Sequence, residues 1–189
     1  MVLPIKKTFG YKERNEEKRV EFLEKLKELA KEDIVYIDES GIRKNEAIEY
    51  GWSEKGERLY DLRSGVKHKA LNLIGALQNK KLVAPFAFEG TCDTKVFNTY
   101  LFSVLKPCLN KKSVIVLDNA TFHRSSKIKK LCEEVGCTYR FLPPYSPDLN
   151  DIEGSWYSVK SRLRKLIRDK KGSLMELITE VFMGLNKVA

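Results

Sequence analysis

Residues 141–156, Phe141-Leu-Pro-Pro-Tyr-Ser-Pro-Asp-Leu-Asn-Asp-Ile-Glu-Gly-Ser-Trp156, leave the chain less conformational freedom than any other stretch. Pro143 and Pro144 fix φ and remove two donors, so a strand arriving at Phe141 must stop there. Tyr145 to Asp148 is turn-rich, and Asn150 is a good helix N-cap. From Ile152 the apolar residues Ile152, Trp156, Val159, Leu163 and Ile167 recur at helical spacing. The stretch therefore predicts strand, rigid turn, helix. Glu153 falls in the first turn of that helix, just off the apolar stripe. It is either a capping-box residue reaching back to the N-cap amide, or a carboxylate delivered beside a buried helix face.

The rest of the chain supplies elements on both sides of this turn. A charged helix is expected over residues 15–31, with Val20, Leu23, Leu26 and Ala30 on one face. Residues 34–41 read as a short buried strand ending in Asp38 and a glycine turn. Further strands are expected over 47–52, 69–77 and 81–88, joined antiparallel, with Gly51, Gly56 and Gly65 marking turns. Asp93 reads as the N-cap of a helix carrying Val96, Phe97, Tyr100, Leu101, Val104 and Leu105. Residues 113–120 are the most hydrophobic strand, again with an acid, Asp118, at its end. A helix over 125–135, a strand over 137–142 and a last helix over 173–185 complete the order. Strands followed by alternating helix and strand predict an α/β fold, a mixed sheet flanked by helices. An N-terminal basic arm and charged helix over 1–33, and a single folded unit over 34–189, follow from the same order.

Charge narrows the partner. The chain carries 35 Lys and Arg against 26 Asp and Glu, a net +9 (35 − 26) in 189 residues. From residue 155 to 189 eight basic residues face three acidic ones, a local +5 (8 − 3), directly behind Glu153. A polyanionic partner fits that distribution. No apolar run reaches the length of a membrane span and no signal sequence is evident, so a cytoplasmic, nucleoid-associated protein is expected. Of the four cysteines only Cys132 and Cys137 are close in sequence, with no histidine to complete a zinc set, so reduced thiols are expected.

Asp38 and Asp118 each follow a buried strand, and Glu153 opens a helix. An acid at a strand end is most often a turn residue. Three at element ends, in a basic chain, also form a hard oxygen set suited to Mg²⁺, with Mn²⁺ as substitute. Two such ions about 4 Å apart activate a nucleophile and stabilise the leaving oxygen of a phosphodiester.

Three motifs carry a family resemblance: Tyr36-Ile-Asp38-Glu-Ser-Gly, Val116-Leu-Asp118-Asn-Ala-Thr-Phe-His123, and Leu142-Pro-Pro-Tyr-Ser-Pro-Asp-Leu-Asn-x-Ile-Glu153-x-x-Trp156. Together they resemble the catalytic domain of transposases of the IS630/Tc1-mariner superfamily. The interval from Asp118 to Glu153 (153 − 118 = 35) leaves 34 residues between them, the spacing of that superfamily's Asp-Asp-Glu motif. The resemblance runs from about residue 6 to 168. It implies a ribonuclease-H-like fold, with Asp38, Asp118 and Glu153 as catalytic ligands of two Mg²⁺ ions. It further implies hydrolysis at DNA element ends, transfer of the freed 3′-hydroxyl into target DNA at TA, and a homodimer in the active complex. Asn119 is then a candidate for positioning water or phosphate. His123 is a candidate contact to the scissile strand or behind the metal, or simply a hydrogen-bonded residue at a helix start. Lys160, Arg164 and Arg168 are candidates for holding DNA phosphates. Trp156, on the apolar stripe, is expected in the core.

Two features depart from the superfamily pattern. Asp151 stands where the superfamily carries proline before the Ile-Glu pair. The superfamily's helix-turn-helix region would need more chain than the stretch before residue 38, so it is expected to be supplied elsewhere. A metal-dependent nuclease of the same fold without strand transfer, and a captured domain that only binds DNA or a partner, are the alternatives.

Overall fold

The computed structural model describes residues 11–43, 53–58, 60, 70–124 and 126–186. Its sheet has five strands in the order β3-β2-β1-β4-β5. Strands β1 (Ile34–Arg43), β2 (Ala70–Gln78) and β3 (Lys81–Glu89) form an antiparallel meander. Strands β4 (Val114–Leu117) and β5 (Thr138–Phe141) add in parallel on the other side of β1. The result is the mixed, helix-flanked sheet of the ribonuclease-H class. The expected strand over 47–52, and the turns at Gly51 and Gly65, lie outside the described residues.

Strand alternation divides the interior into two cores. Val35, Ile37, Ile74, Ala76, Ile115 and Leu117 point to one face. There they meet Phe97 of α2 (Thr94–Thr99), the wider turn Tyr100–Leu105 that prolongs it, and α3 (Ser126–Val135). Tyr36, Ile42, Leu71, Leu73 and Val116 point to the other face. Helices α4 (Ile152–Asp169), α5 (Leu174–Asn186) and α1 (Glu16–Lys27) cover it. On α4 the buried residues are Ile152, Trp156, Val159 and Leu163, the stripe expected from the sequence. The four cysteines are free thiols.

Three local expectations need correction. Strand β1 does not end at Asp38. It continues to Arg43 because β2 pairs with it throughout, from Val35↔Gln78 to Arg43↔Ala70. What stops near Asp38 is the pairing with β4. Helix α1 does not bury the Val20–Leu23 side; Val20 is exposed while Arg19 and Phe22 are buried. The phenylalanine has the larger surface to bury, and Arg19 has an acidic partner on that side. Finally, Asn150 is extended, as an N-cap should be, and its carbonyl accepts from the Glu153 amide at 3.1 Å. Its side chain, however, makes no cap bond, and Oδ1 is buried without a hydrogen-bond partner.

Candidate active site

Parallel pairing brings the first two acids together. Strands β1 and β4 align Ile34↔Val114, Val35↔Ile115 and Tyr36↔Val116, a constant offset of 80 (114 − 34). Both acids lie two residues past the last aligned pair, Asp38 beyond Tyr36 and Asp118 beyond Val116, and the charge of Asp118 reaches the Asp38 carboxyl. Asp38 follows Ile37, which faces the α3 side, so its carboxylate turns towards α4, where Trp156 meets it; Asp118 lies just past β4, and its carboxylate bonds His123. Helix α4 begins after the proline turn and brings Glu153 to the same place. Asp38, Asp118 and Glu153 all line one cavity of about 570 Å³, together with Asn119, Pro143, Pro144, Tyr145, Asn150 and Tyr11.

Each carboxylate is set up differently. Asp38 Oδ2 accepts a hydrogen bond from the Trp156 indole Nε1–H at 3.1 Å. Burial, then the charge of Glu39, and further those of Glu153 and Asp118, push the Asp38 carboxyl up to about 7. Asp118 Oδ1 accepts from the Ala120 amide at 2.8 Å and pairs with His123 Nδ1 at 2.6 Å. The histidine bond holds the Asp118 carboxyl below its usual range. Glu153 is exposed, and its carboxylate makes no hydrogen bond or ion pair among the described residues. It is not a capping-box residue. The chain does build such a box at α5, where Ser173 Oγ accepts from the Glu176 amide at 3.2 Å and Glu176 Oε2 accepts from the Ser173 amide at 2.9 Å.

The sequence offered His123 as a hydrogen-bonding residue near the site but did not show its partners. His123 is fully buried and bridges two carboxylates, Asp118 through Nδ1 and Glu39 through Nε2 at 2.8 Å. Burial pulls its pKa down, but the two carboxylates outweigh it and raise it to about 9. A fully buried ring has no surface to offer a DNA strand; its place is behind Asp118, orienting it. Asn119 lines the cavity, yet its Nδ2 donates to the Leu142 carbonyl at 2.6 Å, tying the end of β4 to the start of the proline turn. Glu39 and Trp156 are thus site residues that sequence spacing missed. Glu39 alternates with Asp38 onto the opposite face of β1, and only the fold shows that His123 waits there.

Lys160, Arg164 and Arg168 follow Glu153 along α4 and do not line the cavity. Arg168 Nε pairs with its neighbour Asp169 at 3.2 Å. The three acids offer only oxygen donors, which fits a hard divalent cation. Among the described residues no three His, Cys, Asp or Glu side chains already stand as a closed ligand set. Asp38 and Asp118 each already spend one oxygen, on Trp156 and His123 respectively.

The sequence profile of the DDE superfamily endonucleases matches residues 33–174, three quarters of the chain and all three acids. The chain belongs to the DDE endonuclease superfamily. Solved DDE folds agree with this assignment. A manganese-bound Mos1 mariner paired-end complex superposes with a TM-score of 0.64 at 15% identity, over 99% of this chain and 64% of that one. The Mos1 transposase catalytic domain with raltegravir and magnesium gives 0.61 at 13%, over 90% and 80%. The catalytic core of BIV integrase gives 0.53 at 14%, over 82% and 84%. At such identities the likeness establishes the fold, that of DDE transposases and integrases, as the three motifs implied. This chain spans 62–66% of the length of the Mos1 chains in the pre-cleavage transpososome, strand-transfer and paired-end complexes. No curated protein matches its sequence. Among the described residues no helix is long and apolar enough to cross a membrane.

Proposed function

We propose that this chain is the catalytic domain of a DNA transposase, and that Asp38, Asp118 and Glu153 hold the divalent cations of a phosphodiester-cleaving site. The supporting observation is that three carboxylates from three separate elements line one cavity. Bound there, Mg²⁺ or Mn²⁺ would supply charge against the phosphate oxygens and a lowered pKa for attacking water. The protein's own groups do the positioning. His123 and the Ala120 amide hold Asp118, the Trp156 indole holds Asp38, and the proline turn sets the height at which Glu153 enters. In hydrolysis the water oxygen bonds to phosphorus, the P–O3′ bond breaks, and the 3′ oxygen leaves and takes up a proton. In strand transfer that 3′-hydroxyl attacks a target phosphodiester in the same way.

DNA as substrate is supported by the net +9 charge and by the mariner and integrase likenesses, whose solved forms include paired-end and strand-transfer complexes. Two ions, TA as target, a homodimer, and phosphate contacts by Lys160, Arg164 and Arg168 belong to the same reading. The test is nicking of supercoiled plasmid in Mn²⁺. Wild type should nick, and Asp38→Asn, Asp118→Asn and Glu153→Gln should each lose it by at least 100-fold while remaining folded. Undiminished nicking by Glu153→Gln would overturn the assignment. A pre-cleaved 3′-hydroxyl oligonucleotide then separates a transposase, which joins it to target DNA, from a simple nuclease.

A further inference from the structure

The cavity has an aromatic lip that the carboxylates do not use. Tyr11 and Tyr145 both line it, their ring centroids 5.6 Å apart and their planes inclined by 39°. They are 56% and 51% exposed, so neither ring is there to fill a core. Tyr145 also sits at φ +56°, a left-handed backbone that glycine takes freely and a bulky residue rarely adopts. Its surroundings hold it there. Pro143 and Pro144 precede it, and the next residue, Ser146, is buried with its hydroxyl donating to the Pro144 carbonyl at 3.1 Å. Unfavourable backbone kept in place by its neighbours, with an exposed ring as the product, is a pattern found at ligand sites.

The occupant follows from chemistry and charge. The ring pair shares a cavity with the carboxylates assigned to a phosphodiester, so a nucleotide reacting there brings its own base, or a neighbouring one, to the lip. The +9 chain, and the basic residues along α4 behind Glu153, favour a polyanion over an apolar protein segment. Every base has a π-face, and aromatic side chains stack on it when it is unpaired. We infer that Tyr11 and Tyr145 form a stacking platform for an unpaired nucleobase of single-stranded DNA beside the reacting phosphodiester. The inference rests on the proposed function for its substrate class. It adds a subsite that acts on the base rather than on the phosphate.

The experiment compares binding of the whole chain to a 20-nucleotide mixed-sequence single strand carrying one 2-aminopurine, and to the matching duplex. Both are measured in Ca²⁺ over a series of salt concentrations. Tyr145→Ala and Tyr11→Ala should each weaken single-strand binding by about 5-fold or more, the lower end of a base–aromatic stack. They should also remove the change in 2-aminopurine emission on binding. The slope of log Kd against log[salt] should not change, because stacking releases no counterions. Duplex affinity should also hold, and Tyr145→Phe should bind like wild type. Both positions are exposed, and thermal midpoints of all variants serve as the check on folding. Unchanged single-strand affinity would overturn the platform. So would equal losses on single strand and duplex with a shallower salt slope, the signature of phosphate contacts. A shift from dimer to monomer in Tyr145→Ala would place a second copy of the chain on the lip and overturn it too. Glu153→Gln separates the two readings: nicking at the wild-type rate with the tyrosine effects intact would fail the catalytic assignment and leave the platform standing.

Discussion

Asp148→Ala tests how the turn that carries Glu153 is held. Asp148 lies in the short Pro147–Leu149 helical turn and takes two hydrogen bonds from Arg19, at 3.0 Å to Oδ1 and 2.7 Å to Oδ2. Arg14 adds a contact at 3.2 Å. The Arg19 side chain is only 7% exposed, while Asp148 is 52% exposed. Removing one partner of a buried pair costs about 3–5 kcal/mol, and an exposed pair contributes about 0–1 kcal/mol. This pair is half open, and Arg19 keeps Glu16 at 3.5 Å as a second partner. The expected loss is therefore about 2 kcal/mol, with a fall in Tm of roughly 4–8 °C for a chain of this size. Arg19→Leu should cost less, about 1 kcal/mol, because it strands a carboxylate that water reaches. Urea unfolding followed by circular dichroism measures both, and their double variant gives the coupling. The pH dependence carries a definite sign. The Arg19 hydrogen bond holds the Asp148 carboxyl below its usual range. Its stabilisation is thus complete at neutral pH and is lost as pH falls through that depressed value. Asp148→Ala should lack that share of the acid loss. A cost below about 0.5 kcal/mol, or an unchanged acid limb, would refute this account of the turn.

Three other outcomes follow from the site. Gly75→Ala places a Cβ 2.9 Å from the Trp156 ring and 3.1 Å from Leu82; overpacking of this kind costs about 1–3 kcal/mol, and nicking should fall further than stability as the indole leaves Asp38. In EDTA the chain should lose stability as pH rises from about 4 towards 7, because the folded Asp38 carboxyl, raised to about 7, binds its proton more tightly than the unfolded one; Asp38→Asn should flatten that slope in chemical denaturation, and an unchanged slope would count against the crowded-carboxylate picture. Lys160→Ala with Arg164→Ala should lower the salt slope of duplex binding by about one unit per lost phosphate contact, alike on all sequences, which filter binding at several salt concentrations would show.

The parts of the molecule governed by local chemistry were open to reading from the residues. The α4 stripe and the proline turn depend on spacing within one element or on fixed φ. The parts governed by pairing across the chain were not. The three acids were named by the motifs around them, but their meeting in one cavity depends on the pairing of β1 with β4. Asp38 looks like the end of a strand until β2 is seen to pair past it to Arg43. The His123–Glu39 contact joins residues 84 apart, and the Trp156–Asp38 contact residues 118 apart. No periodicity carries such information. The helix expected over 15–31 is present as α1, but its buried side was misread for a related reason: four apolar residues at helical spacing outvoted Arg19, whose partner Asp148 lies far along the chain. Asn150 was recognised as a helix start by residue type, and its backbone obeys, but the buried amide oxygen does not perform the cap.

The indole that rests on Asp38 also makes the centre optically visible. The chain has two tryptophans, Trp52 and Trp156. In a Trp52→Phe background all tryptophan emission would come from a ring that is 3% exposed and bonded through its N–H to one of the proposed ligands. Proton uptake by that carboxyl, or its capture by a cation, changes the partner of the N–H and with it the excited state of the ring. Occupancy could then be titrated continuously by fluorescence with neither DNA nor turnover in the cuvette, and arrival of ions timed separately from the cutting they support.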